Sequence, residues 1–201
     1  MQRGKADFGL LLVGMLWGLG FVFVKIGLNE GITPFYLLTI RFLVAFIILF
    51  VIFRSRLKNI EKSDLKNGFI IATFLFLGFA FQISGAALTT ASNNAFFTAI
   101  NVIIVPYIFW AIHKHVPNIF SFIAAGLCIL GVGILSFDSK MQLNQLNEGD
   151  ILTIISALFF AFHIAFTGFL STKSEPIKLN VIQMGFASVY SLIALVIFSN
   201  T

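Results

Sequence analysis

The chain alternates between long apolar blocks and short polar patches, and no other feature constrains its fold as tightly. Seven blocks run at about Phe8–Leu28, Pro34–Phe53, Asn67–Leu88, Asn94–Ile112, Ile119–Phe137, Ile151–Leu170 and Asn180–Phe198. Each is close to the ~20 residues that a helix needs to cross a bilayer core. Inside lipid every backbone N–H and C=O must be satisfied within the span or across a closed barrel, and these blocks are too long and too uniformly apolar for barrel strands. The fold class that follows is an all-α polytopic membrane protein of about seven transmembrane helices. With 59% hydrophobic and 10% charged residues, the chain lacks the charges that a soluble surface would need. The first block is too long for the apolar core of a signal peptide and reads as the first span.

The net charge of +5 does not point to nucleic acid, because the basic residues cluster in alternate loops. Arg3 and Lys5 precede the first span. Arg54, Arg56, Lys58, Lys62 and Lys66 follow the second, Lys114 follows the fourth between His113 and His115, and Lys173 and Lys178 follow the sixth. The intervening loops carry Glu30, the uncharged "TTASNN", and the acidic set Asp138, Glu148 and Asp150 against Lys140. The expectation is a multi-pass protein of the cell membrane with a cytoplasmic N-terminus.

Ala6–Lys25 parallels Gly149–Gly168, with Asp7 matching Asp150, Trp17 matching Phe160 and Gly18 matching Ala161. Further on, "LLTIRFLVAF" parallels "LNVIQMGFAS", with Arg41 against Gln183. Five helices separate equivalent points, so the first and sixth enter the membrane from opposite sides, as in the inverted repeats of secondary transporters. Residues 1–137 are expected to form one five-helix repeat and 148–201 the first two helices of a second. Completing the second would take about 90 further residues. Either a longer chain or a partner, such as a second copy, would have to supply them.

Polar side chains recur at helical spacing within the spans. Gly14, Gly18, Phe21 and Lys25 share a face of the first helix, beside Trp17. Arg41 lies about two turns into the second. Gly78, Gln82 and Thr89 align in the third; Asn94, Thr98 and Asn101 in the fourth, ahead of Pro106; Ser156, His163 and Thr167 in the sixth; Gln183 and Tyr190 in the seventh. A charge at the centre of a span costs about 2.5–3.5 kcal/mol on insertion scales, so these stripes are expected to turn toward a shared, partly wet cavity. The candidate cavity residues are Trp17, Phe21, Lys25, Arg41, Gln82, Asn94, Thr98, Asn101, His163 and Gln183. Each also has a plainer role. Lys25 can snorkel to the headgroups, and Arg41 can bond backbone carbonyls. His163 can be a neutral packing histidine, and Gln82, Asn101 and Gln183 can join helices. Trp17 and Phe21 can be packing, and Pro106 is expected to kink the fourth helix. The fifth span carries small residues instead (Ala124, Ala125, Gly126, Gly131 and Gly133), and Cys128 reads as a packed thiol. No His, Cys or carboxylate lies in register with His163, so neither a metal site nor a cofactor is expected. No carboxylate sits within a span. Lys25 and Arg41 instead offer positive charge, which favours a solute bearing a carboxylate or phosphate, or a zwitterion.

"LWGLGFVFVKIGL…ITPFYLLTIRFLVAF", "ALTTASNNAFFTAINVIIVPYIFWAI", "GLCILGVGILSF" and "GDILTIISALFFAFHIAFTGFL" together resemble the EamA-like branch of the drug/metabolite transporter superfamily. The resemblance covers nearly the whole chain, and the "TTASN" segment is its most specific part. It implies ten helices in two inverted five-helix repeats, alternating access, and movement of small metabolites. The chain departs from it in lacking the last three helices and in carrying "HKHV" (His113–Val116) where an acidic residue often stands. The reading is a secondary transporter of small polar solutes, amino-acid-like or otherwise anionic or zwitterionic, with the bilayer and the solute as its partners. Two alternatives remain: a non-transporting remnant, and a seven-helix receptor-like protein, although the last span has neither the lysine nor the acid that the latter would need. No GxSxG, HExxH, paired intramembrane Asp or phosphate loop suggests an enzyme.

Overall fold

The computed structural model of the protein describes residues 2–114, 118–136 and 146–198, with the side chains of residues 2–6 (Arg3 and Lys5 among them), 10, 113, 128, 129, 132, 133, 135 and 136 outside that description. His115, Asp138 and Lys140 also lie outside the described residues. The elements are α1 (Gln2–Asn29), α2 (Pro34–Phe53), a 3₁₀ turn (Arg54–Leu57), α3 (Lys62–Leu88), α4 (Ala91–Thr98), α5 (Asn101–His113), α6 (Ile119–Ser136), α7 (Glu148–Leu170) and α8 (Pro176–Phe198). Six stretches of the described residues are long and apolar enough to cross a membrane, with α4 and α5 forming one of them. The 18-residue α6 rises about 27 Å and takes the place of the fifth apolar block.

Helices α3 and α7 start earlier than their apolar blocks, because their first turns are polar. Glu61 and Asp64 form a reciprocal capping box on α3, and Asn147 and Asp150 form another on α7. In each, a side-chain oxygen takes up amides that the helix leaves unbonded. Pro34 opens α2, where its missing N–H costs nothing.

The fourth span is not one kinked helix. It breaks at Ala99–Ile100, while Pro106 lies inside a continuous α5. At the break the amides of Ile100, Val102 and Ile103 reach the carbonyls three residues back, at 3.2, 3.0 and 2.9 Å, which tightens the chain into 3₁₀ geometry. The bend therefore falls near the polar pair Asn94 and Thr98 rather than at the proline.

α3 is the hub. It packs most extensively on α7 and α8 and also meets α1, α2 and α4, while α2 packs on α8, and α5 on α6 and α7. α3 and α7 run antiparallel: Gly85 lies against Gly149, Gly78 against Phe160, and Ile71 shares a core with Leu170. α1 runs parallel to α3, since Lys25 near its end bonds Ala86 near the end of α3. The sequence-matched helices α1 and α7 thus run in opposite senses. So do α2 and α8, where Phe35 stacks on Phe198 and Gly185 faces Phe46. The central core joins Leu38, Phe42, Leu75, Ile83, Phe160 and Ala187. In lipid such a core is held by close packing rather than by expulsion of water, which is why small residues line its tightest contact. The contacts of α1 with the central core and with α2 and α3 that involve Val24, Lys25, Gly27 and Leu28 lie near its C-terminal end. Among the described residues no neighbouring atom lies within 4 Å of where a Cβ at Gly14 or Gly18 would sit, and the same is true of Gly126 and Gly131 on α6.

Among the described residues one ion pair forms, Arg56 to Glu175 at 3.5 Å, with the Arg56 side chain exposed and that of Glu175 half-exposed. Arg56→Ala is expected to change stability by no more than about 0.5 kcal/mol, within the range for exposed pairs. Thermal unfolding in detergent checks this.

Candidate functional site

The polar stripes of α3 and α4 meet. The Gln82 amide nitrogen donates to Thr98 Oγ1 at 3.1 Å, and the Thr98 hydroxyl donates to the Asn94 carbonyl at 2.7 Å. The Asn94 amide nitrogen donates to the Gln82 carbonyl at 2.9 Å and to Thr153 Oγ1 on α7 at 2.8 Å. Thr153 in turn donates to the Gly149 carbonyl, and Ser156 to the Thr153 carbonyl. Asn94 is only 1% exposed, and Thr153 and Ser156 are fully buried. Satisfied in this way, the groups form a knot that welds α3, α4 and α7 together. Asn101 lies past the break, half-buried and outside the knot.

Above the knot a polar cavity of about 670 Å³ opens between four helix ends, lined by Lys25, Thr89, Thr90, Asn93, Asn147 and Asp150 among others. Lys25 donates to the carbonyls of Ala86 at 2.9 Å and Ala87 at 3.4 Å, in the last turn of α3. A cation there complements the negative end of the helix. Asp150 is 3% exposed. Its Oδ1 accepts from the Thr89 hydroxyl at 2.6 Å and from the Asn93 amide at 3.4 Å, and its Oδ2 accepts from the Asn147 backbone N–H at 3.2 Å. An acid that reads as a loop residue is thus built into the wall. Lys25 and Asp150 share the cavity without coming within ion-pair distance of each other.

A second, part-buried pair lies farther along α7. His163 Nε2 donates to Gln183 Oε1 on α8 at 2.9 Å, and the Gln183 amide nitrogen donates to Asn180 Oδ1 at 2.7 Å. The acceptor-only amide oxygen fixes the proton on Nε2. Thr167, one turn on, has a buried hydroxyl with no hydrogen-bond partner among the described residues. Arg41 stacks its guanidinium over the Phe79 ring at 5.0 Å, and Phe79 meets Phe160 edge-on. Phe21 is half-buried on α1, whereas Trp17 is 75% exposed. Gln82, Asn94 and Thr98 therefore meet in one cluster, and His163 and Gln183 in another. Lys25 sits at the mouth, Arg41 beside the aromatic core, and Trp17 on the open face of α1.

Asn93, Asn147 and Thr153 are not picked out from the sequence; Thr89 stands there only as a member of the third helix's stripe, and Asp150 only as a loop acid matched to Asp7. The signal for two of them was present as Asn147-x-x-Asp150, a capping-box pattern at a helix start. Among the described residues no cluster of His, Cys, Asp or Glu could hold a metal ion.

Residues 4–137 match the family model described as the EamA-like transporter family. Two proteins from Archaeoglobus fulgidus, each described as an uncharacterized transporter, are similar to this chain. One is 36% identical over 179 residues, covering 89% of this chain and 54% of the relative. The other is 28% identical over 171 residues, covering 81% and 57%. The chain spans about half the length of these curated relatives. No solved structure matches it.

Proposed function

Since the chain belongs to the EamA-like transporter family, we propose that it moves small polar solutes across the cell membrane, alternating access between its two halves. The solute class is anionic or zwitterionic. The observation that carries this is the state of the two basic side chains within the spans. Lys25 meets only carbonyl oxygens and Arg41 only an aromatic ring, and neither is ion-paired among the described residues. Cations within the spans that have no ion-pair partner among the described residues are available to an arriving anion. With the N-terminus cytoplasmic, the mouth at Lys25 opens outward and the His163–Gln183 pair lies toward the cytoplasmic side. The chain's partners are the bilayer and the solute. Further helices, from a longer chain or a second copy, would complete the second half. The family reading gives the chain no enzymatic role.

Uptake into proteoliposomes from a mixture of labelled amino acids, organic acids and organic cations tests the reading. Anionic or zwitterionic solutes are expected to accumulate, and Arg41→Gln is expected to cut their initial rate by about tenfold or more, the loss of one charge-assisted contact. Accumulation of apolar cations alone would overturn the solute class, and no accumulation of any solute would overturn the transport reading.

A further inference from the structure

We propose that the mouth is a carboxylate-capture site, and that its occupant draws Lys25 off α3 and so frees α1. The inference deepens the transport reading and rests on it for its purpose in the cell, but not for its chemistry.

Lys25 has three donors, and two are occupied by neutral carbonyls of α3, one of them at a long 3.4 Å. An ammonium meets an opposite charge in a carboxylate but only a dipole in a carbonyl, so a carboxylate entering the mouth outcompetes Ala86 and Ala87. The remaining wall favours the same guest. α4 and α7 both begin at the cavity, through Thr90 and Asn147, and their first-turn amides carry the positive end of each helix. Asp150 lines the same space. Of roughly four lone-pair sites on its carboxylate, three already accept bonds, from Thr89, Asn93 and Asn147. It caps its own helix and does not come within ion-pair distance of Lys25. Glu30 and Glu148, the other acids at this end, are exposed and do not line the cavity. Below, the buried Asn94–Thr153 knot closes the floor, so a guest stops at the mouth.

Releasing Lys25 has a mechanical consequence. Apart from it, α1 packs against α4, and Val24 and Leu28 meet the central core and Gly27 meets Leu37 in its last two turns. α3, α4 and α7 are welded by the knot. Lys25 is therefore the polar latch between a loosely held helix and a rigid body, and it sits where a solute arrives.

The test uses the 201-residue chain in lipid nanodiscs with acetate as the probe and methylammonium as the control. Saturation-transfer NMR is expected to detect saturable acetate binding and none for methylammonium. Lys25→Met is expected to weaken acetate about tenfold or more, whereas Lys25→Arg retains binding. Asn93→Leu, which leaves the latch in place but strips a donor from Asp150, weakens it by a smaller factor. A second readout follows the latch itself. With Cys128→Ser as background, labelling of Val24→Cys by a maleimide is expected to accelerate when acetate is added, and to be fast and acetate-independent once Lys25→Met is included. Equal acetate affinity in Lys25→Met and the parent, binding of methylammonium as tight as acetate, or acetate-independent labelling in the parent would each overturn the proposal. A chain that binds acetate as described but transports no solute would overturn the transport reading and leave the capture site standing.

Discussion

Gly85→Ala is expected to destabilise the protein by about 1–3 kcal/mol, although alanine is the better helix former by about 1 kcal/mol. The reason is the crossing of α3 and α7. A Cβ on Gly85 would lie 2.5 Å from Thr153 Oγ1 and 2.7 Å from the Gly149 carbonyl oxygen. The second of these is backbone and cannot rotate away. Gly149 returns the contact, since a Cβ there would lie 2.7 Å from the Gly85 carbonyl oxygen. Separating the helices to admit one methyl group would also stretch the bonds from Asn94 to Thr153 and from Thr89 to Asp150, which span the same crossing. The internal control is Gly18→Ala on α1, where nothing lies within 4 Å of the added carbon. Helix propensity then acts alone, and the change is expected to be neutral or to stabilise by up to about 1 kcal/mol. Thermal unfolding of both variants in the same detergent measures the contrast. If Gly85→Ala matched the parent, the crossing would be looser than described. If Gly18→Ala were as costly as Gly85→Ala, a neighbour from outside these 201 residues would have to cover α1.

That contrast also marks what can be read from a sequence of this kind. The spans were legible because lipid imposes a length and an apolarity that no other environment requires. The third helix's Gly78 and Gln82 stripe does face its neighbours, at Phe160 and Thr98. Helix starts were less legible, because their first turns are polar and look like loop. Asp64 and Asp150 both sit in such turns, and both are buried. The break at Ala99–Ile100 carries no proline or glycine, whereas Pro106 lies in an unbroken helix, so local punctuation pointed to the wrong residue. Lys25 shows the deeper limit. Its partners are backbone carbonyls, which every residue possesses, so no pattern in the sequence can identify them. The pairing of His163 with Gln183 likewise required the crossing of α7 and α8, although each residue stood out on its own helix.

The second large effect is expected at Asp150. Asp150→Ala should destabilise the protein by about 2–4 kcal/mol, from the loss of a helix cap worth about 1 kcal/mol and an orphaned buried hydroxyl worth about 1–3 kcal/mol. The hydroxyl is that of Thr89, which is 5% exposed and loses its 2.6 Å acceptor. The cap is the bond from the Asn147 N–H to Oδ2. Asp150→Asn separates the two terms. Its amide oxygen can still accept from Thr89, but its NH2 group would face the Asn147 N–H, donor against donor, so only the cap is lost and the cost should be near 1 kcal/mol. Hydrogen exchange adds the local readout: amides in the first turns of α7 should exchange faster in both variants, while those near Leu170 at its far end remain protected. The same pair of substitutions decides what kind of residue Asp150 is. A wall residue that holds α7 in place lowers stability whether or not a solute is present. A residue that grips the ammonium of a zwitterion would instead leave the empty protein as stable as the parent and weaken the binding of glycine relative to acetate. With three bonds to its own fold and 3% exposure, Asp150 is expected to follow the first pattern.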